Sequence, residues 1–442
     1  MTSEATWITD ARWWGAAATL GAGLGLAMAF APEFAVGGLL VASLLFVFSR
    51  SRHRSELLVG MYWIAYVIYT IIFYGVIVRF GFYPFYLAFL LSIVLALRRS
   101  GLRVDPVLFW LYAGYMVTML ASFFGFQEPI DSAVVQIVLP HLVGALVLLQ
   151  FRSREGLRVP IPALILGSLT IAGYVVFRSA QAGFRYRGDI EANPNGAAMV
   201  IGFGVLAAVI TLLEPSVRSS RRWRTVGLLV AIAAMVYSIL LLASRGLAIS
   251  LLLSILVVVG RTFLRERRGA WVVLVLLVAV GGGLLLPGGQ QLVERVTSQE
   301  AEFASAGSRF PLWRVTIDSI ASGDLRELLF GHGFASTAPV VEASFAGQPS
   351  VHSNYLRVFH EFGLLSLVLF VALHAYLLFR GWQIPGSDGL MVLGFSVLLI
   401  MEGVTGDVAV TFPFWLAIGY LGAIVSWHAA EPDPGRDVRL VR

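Results

Sequence analysis

The chain has 442 residues, of which 58% are hydrophobic and only 13% are charged. Soluble domains carry roughly 25% charged residues, so this composition excludes an ordinary soluble protein. The formal net charge is +6, but most of the arginines stand in short loops between apolar runs, so they indicate membrane topology rather than nucleic-acid binding. The sequence has no cysteine, which excludes disulfides and thiolate metal sites.

Apolar runs long enough to cross a bilayer core of about 30 Å recur along the chain. They predict an all-α polytopic membrane protein with about 14 transmembrane helices (12–14), since a β-barrel would show short alternating segments instead. Residues 1–442 form one membrane domain. In chain order, the predicted spans are 13–31, 34–49, 57–78, 80–97, 106–124, 132–150, 159–177, 195–213, 225–243, 246–260, 270–286, 353–379, 389–404 and 408–427.

Every second loop between the spans is basic, as in RSRHR, RRSGLR, FRSREGLR, VRSSRRWR and RTFLRERR. The positive-inside rule assigns these loops to the cytoplasm, together with both termini and the tail 428–442. Residues 13–29 end in AMA, which also resembles a signal-peptidase site. A retained first span is the preferred interpretation, and cleavage there would leave the rest of the topology unchanged.

The predicted outer side has two substantial segments, 178–196 and the long loop 287–352. Within the long loop, GSRFPLWRVTIDSI (307–320) has Ser308 as a helix cap and Pro311 in the first turn. We expect an amphipathic helix here, lying on the outer membrane surface or over a cavity. Its apolar stripe consists of Trp313, Ile317 and Ile320.

The stretch LLASRGLAIS (241–250) must contain a turn, because a single helix over 225–260 would be about 54 Å long. Gly246 is predicted to supply the positive φ that this turn needs. The following span, 246–260, is short, which places Arg245 below the outer surface. Arg245 then either faces a cavity or a partner, or snorkels from a helix end.

Two other stretches join polar residues to the start of a span. In NPNGAAM, Asn195 is predicted to cap a helix, and the exposed N–H groups of its first turn could form an anion site beside Arg185 and Arg187. Asp189 and Glu191 could pair with those arginines instead.

In HSNYLRVFHEFGLLSL, which starts at His352, Ser353 can cap a helix near Asn354. At 100° per residue, the side chains on one face of that helix form a polar stripe that must avoid lipid. The stripe consists of Asn354, Arg357 and Glu361.

Simpler interpretations of these residues remain open. Arg357 and Glu361 have the i,i+4 spacing of an intrahelical ion pair that would only hold the helix in place. Asn195 could be a cap and nothing more. His352 could be an exposed or structurally satisfied histidine, and His360 lies to one side of the stripe.

Taken in order, NPNGAAM, SRG, GSRFPLW, LLFGHGF and HSNYLRVFHEFGLLSL resemble the O-antigen ligase and O-antigen polymerase superfamily of bacterial membrane glycosyltransferases. The resemblance is clearest over residues 189–371. It implies a GT-C-like membrane fold in the cytoplasmic (inner) membrane, with an active site that faces outward. It also implies transfer of a glycan from undecaprenyl diphosphate to a glycan or lipid-linked acceptor hydroxyl, without a metal or cofactor.

The resemblance also implies roles for individual residues. Arg245 in SRG and Arg309 in GSRF would bind the diphosphate, and Arg187 lies in the right region without a motif that fixes it. His352 in HSN would be the catalytic residue. These types suit the chemistry: guanidinium groups neutralise a leaving diphosphate, and an imidazole can take the acceptor proton in an inverting reaction. Glu361 would orient His352 or Arg357.

A transporter or flippase for lipid-linked glycans is the main alternative, since it would also need charges at the outer side and the midplane. Transporters commonly have two paired halves with matching broken helices, and no such pairing is visible here. A structural membrane subunit would not explain a polar stripe that continues a histidine-bearing loop. Within the enzyme interpretation, ligase and polymerase both remain open.

Overall fold

The computed structural model describes residues 104–122, 138–151, 153–181, 194–214, 222–242, 244–266, 290, 309–345, 350–406 and 411–430. Within these residues the regular structure is entirely helical, as predicted. The first four predicted spans and the span 270–286 lie outside the described residues, and so does the segment 185–191, which includes Arg187. The total of about 14 spans therefore stays a prediction.

A helix is found wherever a predicted span falls on described residues. Six helices, α3 to α6, α10 and α11, are long and apolar enough to cross a membrane, as a multi-pass membrane protein requires. The helices are α1 (Pro106–Ser122), α2 (Leu139–Leu148), α3 (Pro160–Gln181), α4 (Pro194–Leu213), α5 (Arg222–Leu242), α6 (Arg245–Glu266), α7 (Arg309–Ser322), α8 (Leu325–Phe330), α9 (Thr337–Ser344), α10 (Asn354–Gln383), α11 (Gly386–Thr405) and α12 (Phe412–Ala430).

Helix α4 is the centre of the described bundle. It packs against α3, α5, α6 and α11, and 94% of the residues in its apolar stretch Gly196–Leu213 are buried. Small residues allow this close packing, as they do in membrane helices generally. A Cβ atom on Gly204, for example, would lie only 2.2 Å from the Cβ of Ser168 in α3.

The end of α11 meets the beginnings of three other helices. A Cβ on Gly246, at the start of α6, would lie 2.5 Å from Thr405 Oγ1, and one on Gly403 would lie 3.4 Å from Asn354 Nδ2. Gly202 of α4 faces Leu398 of α11, while Gly394 of α11 faces Leu206 of α4. Helix α4 therefore runs antiparallel to α11 and begins where α11 ends. We name this end, where α4, α6 and α10 begin, the outer end, because the arginine distribution predicts that it faces away from the cytoplasm.

The turn between α5 and α6 is confirmed, because α5 ends at Leu242 and α6 begins at Arg245. Two details of the prediction were wrong. Gly246 lies in the first turn of α6 and is not a positive-φ residue, so its small size serves the close contact with Thr405 instead. Helix α6 has 22 residues, more than the predicted span 246–260, because it continues into the basic segment RTFLRERR as far as Glu266. Arginine is a good helix former.

Helix α10 is bent at Gly363, where φ is 81° and ψ is 177°. The bend frees carbonyl groups that an unbroken helix would use internally. His332 N–H donates to the His360 carbonyl at 2.8 Å, and Gly333 N–H donates to the Glu361 carbonyl at 3.1 Å. The glycine-rich LLFGHGF segment is therefore bound to the bend by backbone hydrogen bonds.

The amphipathic helix predicted at 307–320 is α7, and Pro311 stands in its first turn as expected. Its buried stripe differs from the prediction, because α7 packs against α9 and α10. Trp313 is only partly buried, and Ile317 is 50% exposed. The buried positions are Leu312, Thr316 and Ile320.

Candidate functional site

Arg309 and Glu402, both among the described residues, place opposite charges near each other at the outer end, without a direct ion pair between them. Arg309 is the first residue of α7 and is half-buried. Glu402 stands in the last turn of α11 and is only 2% exposed. The Arg309 charge acts on the Glu402 carboxylate, and Ser250 of α6, whose hydroxyl donates to the Gly246 carbonyl, lies near the same carboxylate. Among the residues that the structure describes, Glu402 Oε1 has no hydrogen-bond partner.

Arg245 and Asn195 both lie on helix starts at this end. The backbone of Arg245 opens α6 beside Thr405, one turn before Ser250. Helix α4 begins at Pro194, so Asn195 is its second residue and the prediction that it is the N-cap was wrong. Proline favours the first helical position because its missing N–H would have no partner there in any case.

His352 occupies a strained position directly before α10. Its φ is 53°, a left-handed conformation that costs of order 1–3 kcal/mol for a residue other than glycine. Its N–H donates to Ser350 Oγ at 3.2 Å, and the same oxygen lies 3.3 Å from Nδ1 of its ring. Val351 is fully buried against Leu312 and Val341. The folded long loop thus holds His352 in a conformation that residues other than glycine adopt only rarely.

The start of α10 is built as predicted. Ser353 caps the helix by accepting a hydrogen bond from Leu356 N–H. Asn354 is fully buried against α11. Arg357 Nε lies 3.1 Å from Glu361 Oε1, which confirms the i,i+4 ion pair, and the Glu361 carboxylate is buried. Of the two residues that Glu361 was predicted to orient, Arg357 is the one with which it pairs. The stripe therefore faces protein rather than lipid.

A pair of stacked histidines was missed in the sequence. The rings of His332 and His360 are 4.5 Å apart between centroids and inclined by 24°. His360 is 1% exposed, and its ring contacts hydroxyl groups from α7 and α9. On the more open side, His332 Nδ1 lies 3.6 Å from Glu327 Oε1. The only local signal was a histidine between two glycines, which by itself indicates no more than a turn.

Glu402 was also missed, although the sequence carried a signal for it. It is the one acidic residue in the predicted span 389–404. An ionisable residue in an apolar span is costly and usually faces a partner or a cavity. Its nearness to Arg309 could not be read from the sequence, since 93 positions separate the two residues.

The outer end therefore combines three groups with different chemistry. Arg309 and the start of α6 flank the end of α11, while Asn354 packs against it and His352 stands two residues before Asn354. The guanidinium group can bind a phosphate, the buried carboxylate can orient the guanidinium group, and the imidazole can accept a proton.

Comparison with known families gives one match. The family model described as O-antigen ligase matches residues 228–371. The match runs from α5 into α10 and includes Arg245, Arg309 and His352, whereas Asn195 and Glu402 lie outside it. It confirms the resemblance and supports assignment to the O-antigen ligase family, and with the membrane helices it supports a glycosyltransferase-like function. A comparison with curated proteins gives no match.

Proposed function

From the O-antigen ligase domain at residues 228–371, we propose that this protein is an inverting, metal-independent glycosyltransferase of the bacterial cytoplasmic membrane. It transfers a glycan from undecaprenyl diphosphate to an acceptor hydroxyl on the outer side. The observation that carries the proposal is that the start of α6 and the segment after His352 contact the end of α11, with the Arg309 charge near Glu402.

The arginines would bind the leaving group. Departure of the sugar leaves about two negative charges on the lipid diphosphate, and a guanidinium fork can bind phosphate oxygens in pairs while keeping its charge at any working pH. We assign this role to Arg245, Arg309 and Arg187. Glu402 limits the movement of Arg309 through the attraction between their charges. Neutralisation by arginines is the reason to propose a reaction without a metal ion.

His352 would act as the general base. The acceptor oxygen attacks the anomeric carbon, the bond from that carbon to the diphosphate oxygen breaks, and the hydroxyl proton passes to the imidazole. Attack from the face opposite the diphosphate inverts the configuration at the anomeric carbon. The strained backbone of His352 supports this role, because strained backbone conformations are found most often at active sites, where the surrounding structure imposes them.

Four residues would support these groups. Asn354 and the buried pair of Arg357 and Glu361 hold the start of α10 against the neighbouring helices. The first turn of α4, with Asn195, presents N–H groups at the outer end, where they favour an anion.

The test is transfer by the purified protein in lipid vesicles with an undecaprenyl-diphosphate-linked glycan and a candidate acceptor. His352→Ala should lower the transfer rate about 10²- to 10⁴-fold, the usual contribution of a general base. His374→Ala is the control, because His374 is a buried histidine within α10 whose ring bonds to the Phe370 carbonyl of the same helix. Full transfer by His352→Ala would contradict the assignment.

Further arms of the same assay separate the alternatives. Arg309→Lys should transfer poorly, because lysine cannot bind phosphate oxygens in pairs, whereas the exposed Arg314→Lys should behave normally. Transfer should continue in EDTA. A transporter would move the lipid-linked glycan across the bilayer without forming a glycosidic bond. Longer lipid-linked chains would identify a polymerase, and glycan on a new carrier would identify a ligase.

A further inference from the structure

His360 connects three parts of the protein that are distant in sequence. Its Nε2 lies 3.0 Å from Ser319 Oγ in α7. Its Nδ1 lies 3.1 Å from Ser336 Oγ and 3.3 Å from Thr337 Oγ1, at the start of α9. Its backbone carbonyl accepts the N–H of His332. Both the side chain and the main chain of this one α10 residue therefore bind the long loop.

The hydrogen bonds around His360 favour one of its two neutral tautomers. The hydroxyl of Ser336 already donates to the Gly333 carbonyl at 2.6 Å, so its oxygen is available to accept from the histidine. This arrangement favours Nδ1 as the N–H donor toward Ser336 and Thr337, with Nε2 accepting from the Ser319 hydroxyl. A neutral imidazole satisfies both sides at once, which neither an apolar nor a permanently charged side chain of this size could do.

We propose that His360 is a positioning residue for the transfer reaction, an inference that rests on the proposed function. It holds α7, which begins with Arg309, at a fixed angle to α10, which follows His352. Its ring makes no contact with substrate in this proposal. Its effect is to set the distance between the group that binds the diphosphate and the group that takes the proton.

The geometry of α7 explains why this attachment matters. Close to Arg309, the Trp313 indole N–H donates to the Val351 carbonyl at 3.0 Å, next to His352. Ser319 is attached to His360 about 9 Å further along the helix, at 1.5 Å per residue. Packing of its buried face already holds α7 against α9 and α10, and two hydrogen bonds at separate points along the helix restrain its direction more tightly than one. Loss of the His360 attachment would therefore displace Arg309 relative to His352.

His374 shows that a buried histidine in α10 need not have this role. It is 2% exposed, close to the 1% of His360, but its Nδ1 donates to the Phe370 carbonyl one turn earlier in the same helix. Substitution of His374 removes a comparable buried ring without releasing α7. It is therefore the control for the general cost of changing a buried histidine.

The kinetic test compares His360→Ala, His360→Gln, Ser319→Ala and His374→Ala in the vesicle assay. Misplacement by about 1 Å can cost a hundredfold in rate, so His360→Ala should lower kcat about 10- to 100-fold with donor KM nearly unchanged. Glutamine can donate and accept, so it should restore part of kcat, and Ser319→Ala should lower kcat with little loss of folded protein. Normal kcat in His360→Ala, or an equal loss in His374→Ala, would overturn the proposal.

A distance measurement tests the positioning without using activity. The chain has no cysteine, so Ile317→Cys and Leu365→Cys allow spin labels at one exposed site on α7 and one on α10. The distance distribution should broaden in His360→Ala and Ser319→Ala and stay narrow in His374→Ala. An unchanged distribution would overturn the proposal. If the unsubstituted protein transfers no glycan, the proposed function fails, and the distances alone decide whether His360 holds α7.

Discussion

The indole N–H of Trp313 donates a 3.0 Å hydrogen bond to the carbonyl of Val351, the residue before His352. This bond joins the helix that begins with Arg309 to the strained segment that carries the proposed base. It joins the middle of the long loop to its C-terminal end. These two parts of the loop thus form one structural unit at the outer end.

Trp313→Phe should lower the transfer rate more than it lowers stability. The ring keeps most of its packing, and the lost neutral hydrogen bond is worth only about 1 kcal/mol. The left-handed backbone at His352 would lose part of its support, so we expect transfer to fall about tenfold, the effect of about 1.4 kcal/mol on a barrier. Initial rates and melting temperature should be measured together. Trp110→Phe is the control, since Trp110 is 71% exposed on α1. Equal activity in the two variants would show that the hydrogen bond has no functional role.

Glu361→Ala should be strongly destabilising. It removes one partner of a buried ion pair and leaves the Arg357 guanidinium, only 19% exposed, without this carboxylate. Such changes typically cost about 3–5 kcal/mol. Thermal unfolding in detergent would measure the effect as a fall in melting temperature. Asp318→Ala breaks the exposed i,i+4 pair with Arg314 and should change stability little. A small effect of Glu361→Ala would mean that the pair contributes nothing to the fold.

Gly363→Ala should disrupt the bend of α10. Its φ of 81° is unfavourable for alanine, and the new Cβ would lie 2.3 Å from the Leu329 carbonyl oxygen. The LLFGHGF segment would have to move away, so we expect a loss of both stability and transfer. Gly173→Ala in α3 is the matched control because its Cβ would meet nothing within 4 Å, and alanine favours a helix. Limited proteolysis of the long loop would detect its release, and a protease pattern like that of the unsubstituted protein would contradict this account.

Glu402→Gln should lower kcat/KM for the lipid-linked glycan donor. The amide keeps the size of the side chain but loses the charge that acts on Arg309. We expect kcat/KM for the donor to fall about tenfold, which corresponds to about 1.4 kcal/mol of lost transition-state stabilisation. Glu342→Gln is the control, because Glu342 is exposed on α9. If Glu402→Gln gained stability at full activity, the buried carboxylate would be a structural cost without a role in transfer.

The sequence predicted the features that depend on local information. Apolar runs located the described spans, and a helix longer than the bilayer core required the turn before Arg245. Pro311 and Ser353 marked helix starts correctly, and the spacing of Arg357 and Glu361 predicted their ion pair. The helix starts and the ion pair are set by residues within about one helical turn of one another, and each span is set by one continuous apolar run.

Only the tertiary structure decided which distant residues meet. The bend at Gly363 joins the His332 segment to α10, and the His360 ring joins α7 and α9 to the same helix. Glu402 lies near Arg309, and Gly246 is small because Thr405 approaches it. Helical periodicity shows which face of a helix is apolar, but it does not show which helix packs there. Those choices follow from the packing of the whole bundle, and the proposed site is assembled from them.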